Sequence, residues 1–119
     1  MHEFESSPRL DSEMLSDLKD IMEEDYAVLL ETYLADAIVR LDSIDAAACE
    51  QNSSNLMESA HSFKGSSLNI GASRLAGLSS NVEILAKEER LEQALPVIAQ
   101  LHEEYEAVKT LLEQELSQS

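Results

Sequence analysis

An all-α fold, an up-down four-helix bundle with a short N-terminal cap helix, is the architecture this sequence predicts, and three observations predict it. Three glycines and two prolines in 119 residues leave too little turn chemistry for a fold of many short strands. Apolar residues recur at steps of three and four along most of the chain. The polar breaks between these stretches are about four residues or fewer, a length that favours antiparallel neighbours.

Residues 1 to 9 read as a flexible polar tail around Pro8, and 10 to 119 as one domain. Asp11 or Ser12 can cap a short first helix with Met14, Leu15, Leu18, Ile21 and Met22 on one side, a lid across one end of the bundle. A long helix follows from near Asp25. Its stripe is Tyr26, Leu30, Tyr33, Leu34, Ala37, Ile38, Leu41, Ile44 and Ala48, and the polar stretch Glu50 to Ser54 ends it. Asn52 or Ser53 caps a third helix, which runs to about Ile70 and stops at Gly71, a residue suited to the left-handed conformation. Ser73 restarts the chain, and Leu75, Leu78, Val82 and Leu85 form a bundle seam that ends at the polar corner Lys87 to Arg90. The last helix carries Leu91, Leu95, Ile98, Leu101, Tyr105, Val108 and Leu112 to near Leu116. Proline is comfortable only in a first turn, so Pro96 moves the expected start of that helix from Leu91 toward Ala94.

Charge and composition exclude several functions. With 24 acidic against 8 basic residues and a net charge of -16, the surface repels phosphate backbones and anionic head groups, so neither nucleic acid nor membrane is expected as a partner. Gly65, Gly71 and Gly77 are spaced so that no Gly-rich nucleotide cradle can be written. Cys49 alone permits no internal disulfide and no Cys-based zinc site, and reads as a small residue at the core edge. No apolar run approaches a membrane span and no secretory signal is evident, so a cytoplasmic location is expected by default.

The third helix carries the chemistry. At about 100° per residue, with His61 set to zero, Leu56, Ala60, Phe63 and Ile70 fall between roughly 180° and 260° and form the core face. His61 therefore points outward. Met57, Glu58, Lys64, Gly65 and Leu68 lie within about 60° of it. A mid-helix glycine costs about 1 kcal/mol relative to alanine, so Gly65 implies that something approaches His61 which a side chain would block. Lys64 places a cation one turn away, able to meet an anion held at the imidazole. Met57 and Leu68 put apolar surface on either side, suited to a docking partner, although scattered surface apolar residues are also common.

Residues 60 to 72, Ala-His-Ser-Phe-Lys-Gly-Ser-Ser-Leu-Asn-Ile-Gly-Ala, resemble without a break the signature A-H-x-[FL]-K-G-[SA]-[SA]-x-x-[IVL]-G-[AL] of histidine-containing phosphotransfer (HPt) domains. The small, acidic, stand-alone bacterial members are the nearest likeness, and the helical layout extends it over about residues 10 to 116. The resemblance implies a four-helix bundle that relays phosphoryl groups between the aspartates of receiver domains, one in a hybrid sensor kinase and one in a response regulator. His61 would accept the phosphoryl group on Nε2, Lys64 would stabilise its oxygens, and Gly65 would give access. A Gln or Glu 22 residues after the histidine bonds its Nδ1 in many members, and that position here is Glu83, which the helical wheel sets beside the Val82 seam. The chain shows no compact acidic group for Mg²⁺, so no cofactor is expected on it, and the metal is expected on the receiver. A phosphoryl carrier without autonomous kinase activity, docking as a monomer through Met57, Glu58 and Leu68, is the resulting expectation.

His2 and His102 read as ordinary surface residues, and most of the acidic excess as solvated face. Two other functions remain to be weighed. Leu41 to Asp45 looks like the D-S-L site of acyl carrier proteins, with Ser43 as the modified serine, but that serine must follow a loop, and the stripe from Leu34 to Ala48 runs unbroken past it. A silent helical adaptor that only docks receivers is the other.

Overall fold

The computed structural model describes residues 9–118 and is built of helices alone over that range. Residues 1 to 8 of the expected tail, His2 among them, lie outside the described residues. Five helices follow in order: α1 (Ser12–Met22), α2 (Asp25–Cys49), α3 (Ser53–Leu68), α4 (Ser73–Lys87) and α5 (Leu91–Ser117). Each of the four long helices packs on the next, and α5 returns to α2, which closes an up-down bundle; α1 lies against α2.

Local chemistry sets the ends. Asp11 caps α1 by accepting from the Met14 backbone N–H at 3.0 Å, and Asn52 caps α3 by accepting from Asn55 at the same distance. α2, α3 and α4 all end in the same paired backbone bonds: Asn52 N–H to Ala47 O at 2.9 Å, Ala72 to Ser67 at 2.9 Å, and Arg90 to Leu85 at 2.8 Å. Each of these turns needs one left-handed residue. Gly71 serves at the end of α3 (φ 73°), whereas Gln51 (φ 56°) and Glu89 (φ 58°) serve at the other two, against the preference of residues with a Cβ. At Gly71 a Cβ would stand 2.9 Å from the Asp11 Cβ, because the chain entering α1 crosses this turn and Asp11 N–H bonds the Gly71 carbonyl at 3.0 Å.

The core forms on the expected stripes with some corrections. Tyr26, Leu30, Tyr33, Ala37, Leu41, Ile44, Leu56, Phe63, Leu75, Val82, Leu101, Val108 and Leu112 are all buried. Phe63 stacks on Tyr33 and meets Tyr105 edge-on, both at 6.4 Å between ring centres. Ile21, Ile38 and Leu95, assigned to buried stripes by their spacing, are exposed. Their steps of three and four hold locally, but a straight helix drifts relative to its neighbours, and at the α2 end Ala47 takes the core position instead. Cys49 is exposed rather than at the core edge.

α5 starts at Leu91, not near Ala94. Pro96 sits inside the helix, where it removes the bond to the Glu92 carbonyl. Packing overrides that cost: Ala94 is fully buried and Leu91 lies against the core, so the first turn is held by contacts that a later start would forfeit. Arg9, placed at the end of the tail, bonds through Nε to Glu104 Oε1 at 3.2 Å. No helix among the described residues is long and apolar enough to cross a membrane.

Candidate functional site

Two faces of α3 explain what this helix does. Leu56, Ala60, Phe63 and Ser67 turn inward, and the Ser67 hydroxyl, fully buried, pairs with the Tyr33 hydroxyl at 3.0 Å. Burial raises the Tyr33 phenol's pKa and keeps it neutral, so the pair is satisfied without charge. Roughly opposite, His61 stands on the outer face with 67% of its side chain exposed.

The imidazole is nevertheless held. Its Nδ1 lies 2.9 Å from Glu83 Oε2, on the neighbouring α4, and Glu83 Oε1 accepts from Lys64 Nζ at 2.9 Å. One carboxylate therefore bridges the histidine and the lysine. The Lys64 hydrogen bond, assisted by that from His61, holds the Glu83 carboxyl below its ordinary value against the opposing effect of partial burial. An ionised carboxylate only accepts, so the proton of a neutral His61 resides on Nδ1 and the Nε2 lone pair is free. Nε2 has no partner among the described residues.

Gly65 is required neither by backbone nor by packing. Its backbone is helical, and a Cβ added there would meet nothing within 4 Å. The space one turn from the imidazole is open to the outside.

The structure thus brings His61, Lys64, Gly65 and Glu83 together. Lys64 was expected to face an incoming anion; here its ammonium rests on Glu83 and is half-buried. Glu58 and Leu68 are exposed, Leu68 by 52%, whereas Met57 is half-buried and packs against the core, so it is not a free apolar neighbour of the histidine. Arg40, on α2, was not singled out by the sequence reading. Its guanidinium Nη1 donates to the hydroxyl of Ser62, the residue after His61, while Nε and Nη2 bond Asp36 at 3.2 and 3.0 Å. The available signal was its isolation: no other Lys or Arg occurs between Lys19 and Lys64.

The remaining candidates fall elsewhere. Ser43 lies within α2 and donates its hydroxyl to the Val39 carbonyl at 3.1 Å, so it is not the loop-borne serine of an acyl carrier. His102 Nε2 lies 2.8 Å from Asp45 Oδ1 and ties α5 to α2. Among the described residues no group of three or more His, Cys, Asp or Glu is placed to hold a metal ion.

A helical bundle presenting one oriented, open imidazole is the form of a phosphoryl carrier, and comparison with known proteins agrees. Residues 28–111 match the Hpt domain family model, and the chain belongs to that family, whose role is histidine phosphotransfer in two-component phosphorelays. It is similar to histidine-containing phosphotransfer protein B from Pseudomonas aeruginosa PAO1, with 38% identity and a TM-score of 0.92 over 95% of this chain and 98% of that one. The HPT domain of the Hpt sensor hybrid histidine kinase from Shewanella shares the fold, with 19% identity and a TM-score of 0.76 over 93% and 96% of the two chains. Curated proteins yielded no match.

Proposed function

We propose that His61 is the phosphoryl-accepting residue, taking the group from the aspartyl phosphate of a receiver domain in a hybrid sensor kinase and passing it to the aspartate of a response regulator's receiver, in the cytoplasm and as a monomer. The observation that carries this reading is the 2.9 Å bond from Nδ1 to Glu83, which presents Nε2 as a lone pair on an open face. Nε2 attacks phosphorus in line as the bond from phosphorus to the donor carboxylate breaks, and that carboxylate leaves with the electron pair. The proton stays on Nδ1. The ring becomes a phosphoimidazolium whose charge Glu83 balances. In the second half-reaction an aspartate of the acceptor attacks phosphorus, and the imidazole departs neutral with its Nδ1–H unchanged.

Lys64 stabilises the phosphoryl oxygens by swinging from Glu83, and Gly65 keeps the approach clear. Glu58 and Leu68 meet the docked receiver, with Met57 contributing only at its half-buried edge. The chain supplies orientation and charge. Mg²⁺ and the remaining groups reside on the receiver, and no kinase activity of its own is required.

Mixing the protein with radiolabelled phospho-receivers tests this. Acid-labile label is expected to pass to the wild type and not to His61→Gln, with Lys64→Ala slowing transfer by about tenfold, the weight of one charge-assisted hydrogen bond. Label accepted equally by His61→Gln would overturn the assignment, and docking without any label transfer would favour the silent adaptor.

A further inference from the structure

We propose that Arg40 is a docking cation of this site, one that sets affinity for the receiver by meeting a carboxylate on the rim of the receiver's phosphorylated pocket. The inference rests on the phosphotransfer reading of His61. Arg40 and Lys64 are the only cations in α2 and α3 of a chain with net charge -16, and Ser62, which Arg40 contacts, and Lys64 lie on opposite sides of His61 round α3. Lys64 stands on the α4 side, held by Glu83; Arg40 stands on the α2 side, held by Ser62.

The guanidinium is engaged on two sides. Asp36, one turn before it on α2, takes Nε and Nη2, and Nη1 meets the Ser62 hydroxyl on α3. Of its five N–H groups two are left over, one on each terminal nitrogen, enough to receive an anionic oxygen. Nearly a third of the side chain is exposed, and beside it Val39 offers apolar surface, 63% exposed.

The partner's chemistry supplies the complement. A pocket that holds an aspartyl phosphate and a hard divalent cation must be lined with carboxylates, so its rim is acidic. Two acidic surfaces repel, and a guanidinium at their seam, shared between Asp36 and a carboxylate of the partner, offsets part of that repulsion. Ser62 lies about 100° round α3 from His61, so a guanidinium bonded to it stands to the side of the imidazole.

The experiment measures transfer from a panel of phosphorylated receiver domains to the wild type, Arg40→Ala, Arg40→Lys and Ser62→Ala, at low and high salt, with a melting curve for each. Arg40→Ala is expected to raise the receiver's KM by about fivefold with kcat unchanged and to flatten the salt dependence, and Arg40→Lys to restore most of the loss. Ser62→Ala, which keeps the charge but loosens it, raises KM less and leaves the salt dependence intact. A fall in kcat at unchanged KM would overturn the inference by placing the guanidinium on the phosphoryl group. Unchanged kinetics with a lowered melting temperature would reduce Arg40 to a strut between α2 and α3. If the wild type takes label and Arg40→Ala behaves like it, only this inference fails; if the wild type takes label from no receiver, the phosphotransfer reading fails and this inference with it.

Discussion

At the scale of single residues, Glu83 has the most connected role. Its pKa lies below the ordinary 4.5, because Lys64 and His61 both favour the ionised form. A lowered folded pKa means that the pairing stabilises the protein above about pH 4.5 and that this contribution is lost as pH falls through the folded value. Urea denaturation of Glu83→Gln should therefore show a lower midpoint than wild type at neutral pH, the gap closing as both are taken into the acid range. The amide still accepts from Nδ1–H but cannot balance a phosphoimidazolium, so phosphotransfer by Glu83→Gln is expected to slow at neutral pH. This contact was legible in the sequence only through the family resemblance, which places a Gln or Glu 22 residues after the histidine in many members. Helical angles alone set Glu83 beside the seam, and which side chain leans across a groove depends on the neighbouring helix. For the same reason nothing in the spacing showed that Lys64 would rest on Glu83, or that Arg40 would reach Ser62.

At the scale of helices, Gly65 separates fold from function. With open space around its Cβ position, Gly65→Ala should stabilise α3 by up to about 1 kcal/mol and raise the melting temperature, while transfer from a receiver slows because the methyl group enters the partner's approach. A stable variant with undiminished transfer would show that the gap is not used. The helix ends carry a second expectation. Gln51 and Glu89 adopt the left-handed conformation that Gly71 supplies at the third such turn. Gln51→Gly and Glu89→Gly should each stabilise by about 1 kcal/mol, read as higher urea midpoints. Caps at Asp11 or Ser12 and at Asn52 or Ser53, and the stop at Gly71, were legible because those residue types have specific local chemistry; the geometry selects Asp11 and Asn52. The start of α5 was not legible, since burial of Ala94 and packing of Leu91 against the core outweigh the local penalty of Pro96, and such packing is a property of the partner helices.

At the scale of the molecule, one core serves one exposed face. Phe63, fully buried between Tyr33 and Tyr105, sits two residues from His61 on the opposite side of α3, so the packing that closes the bundle also aims the imidazole outward. Phe63→Ala should cost about 3–5 kcal/mol in chemical denaturation. The bundle and its topology were legible from periodicity and short links. Exposure of Ile21, Ile38 and Leu95 was not, because a step of three or four does not say where a neighbouring helix ends or how far a stripe drifts. The whole arrangement comes down to which nitrogen of His61 is free. Nuclear magnetic resonance of the phosphorylated protein, with nitrogen-labelled histidine and phosphorus coupling, reads that directly. Phosphorus on Nε2 of His61 with the Nδ1 proton retained is the expected result; phosphorus on Nδ1, or on any other residue, would contradict it.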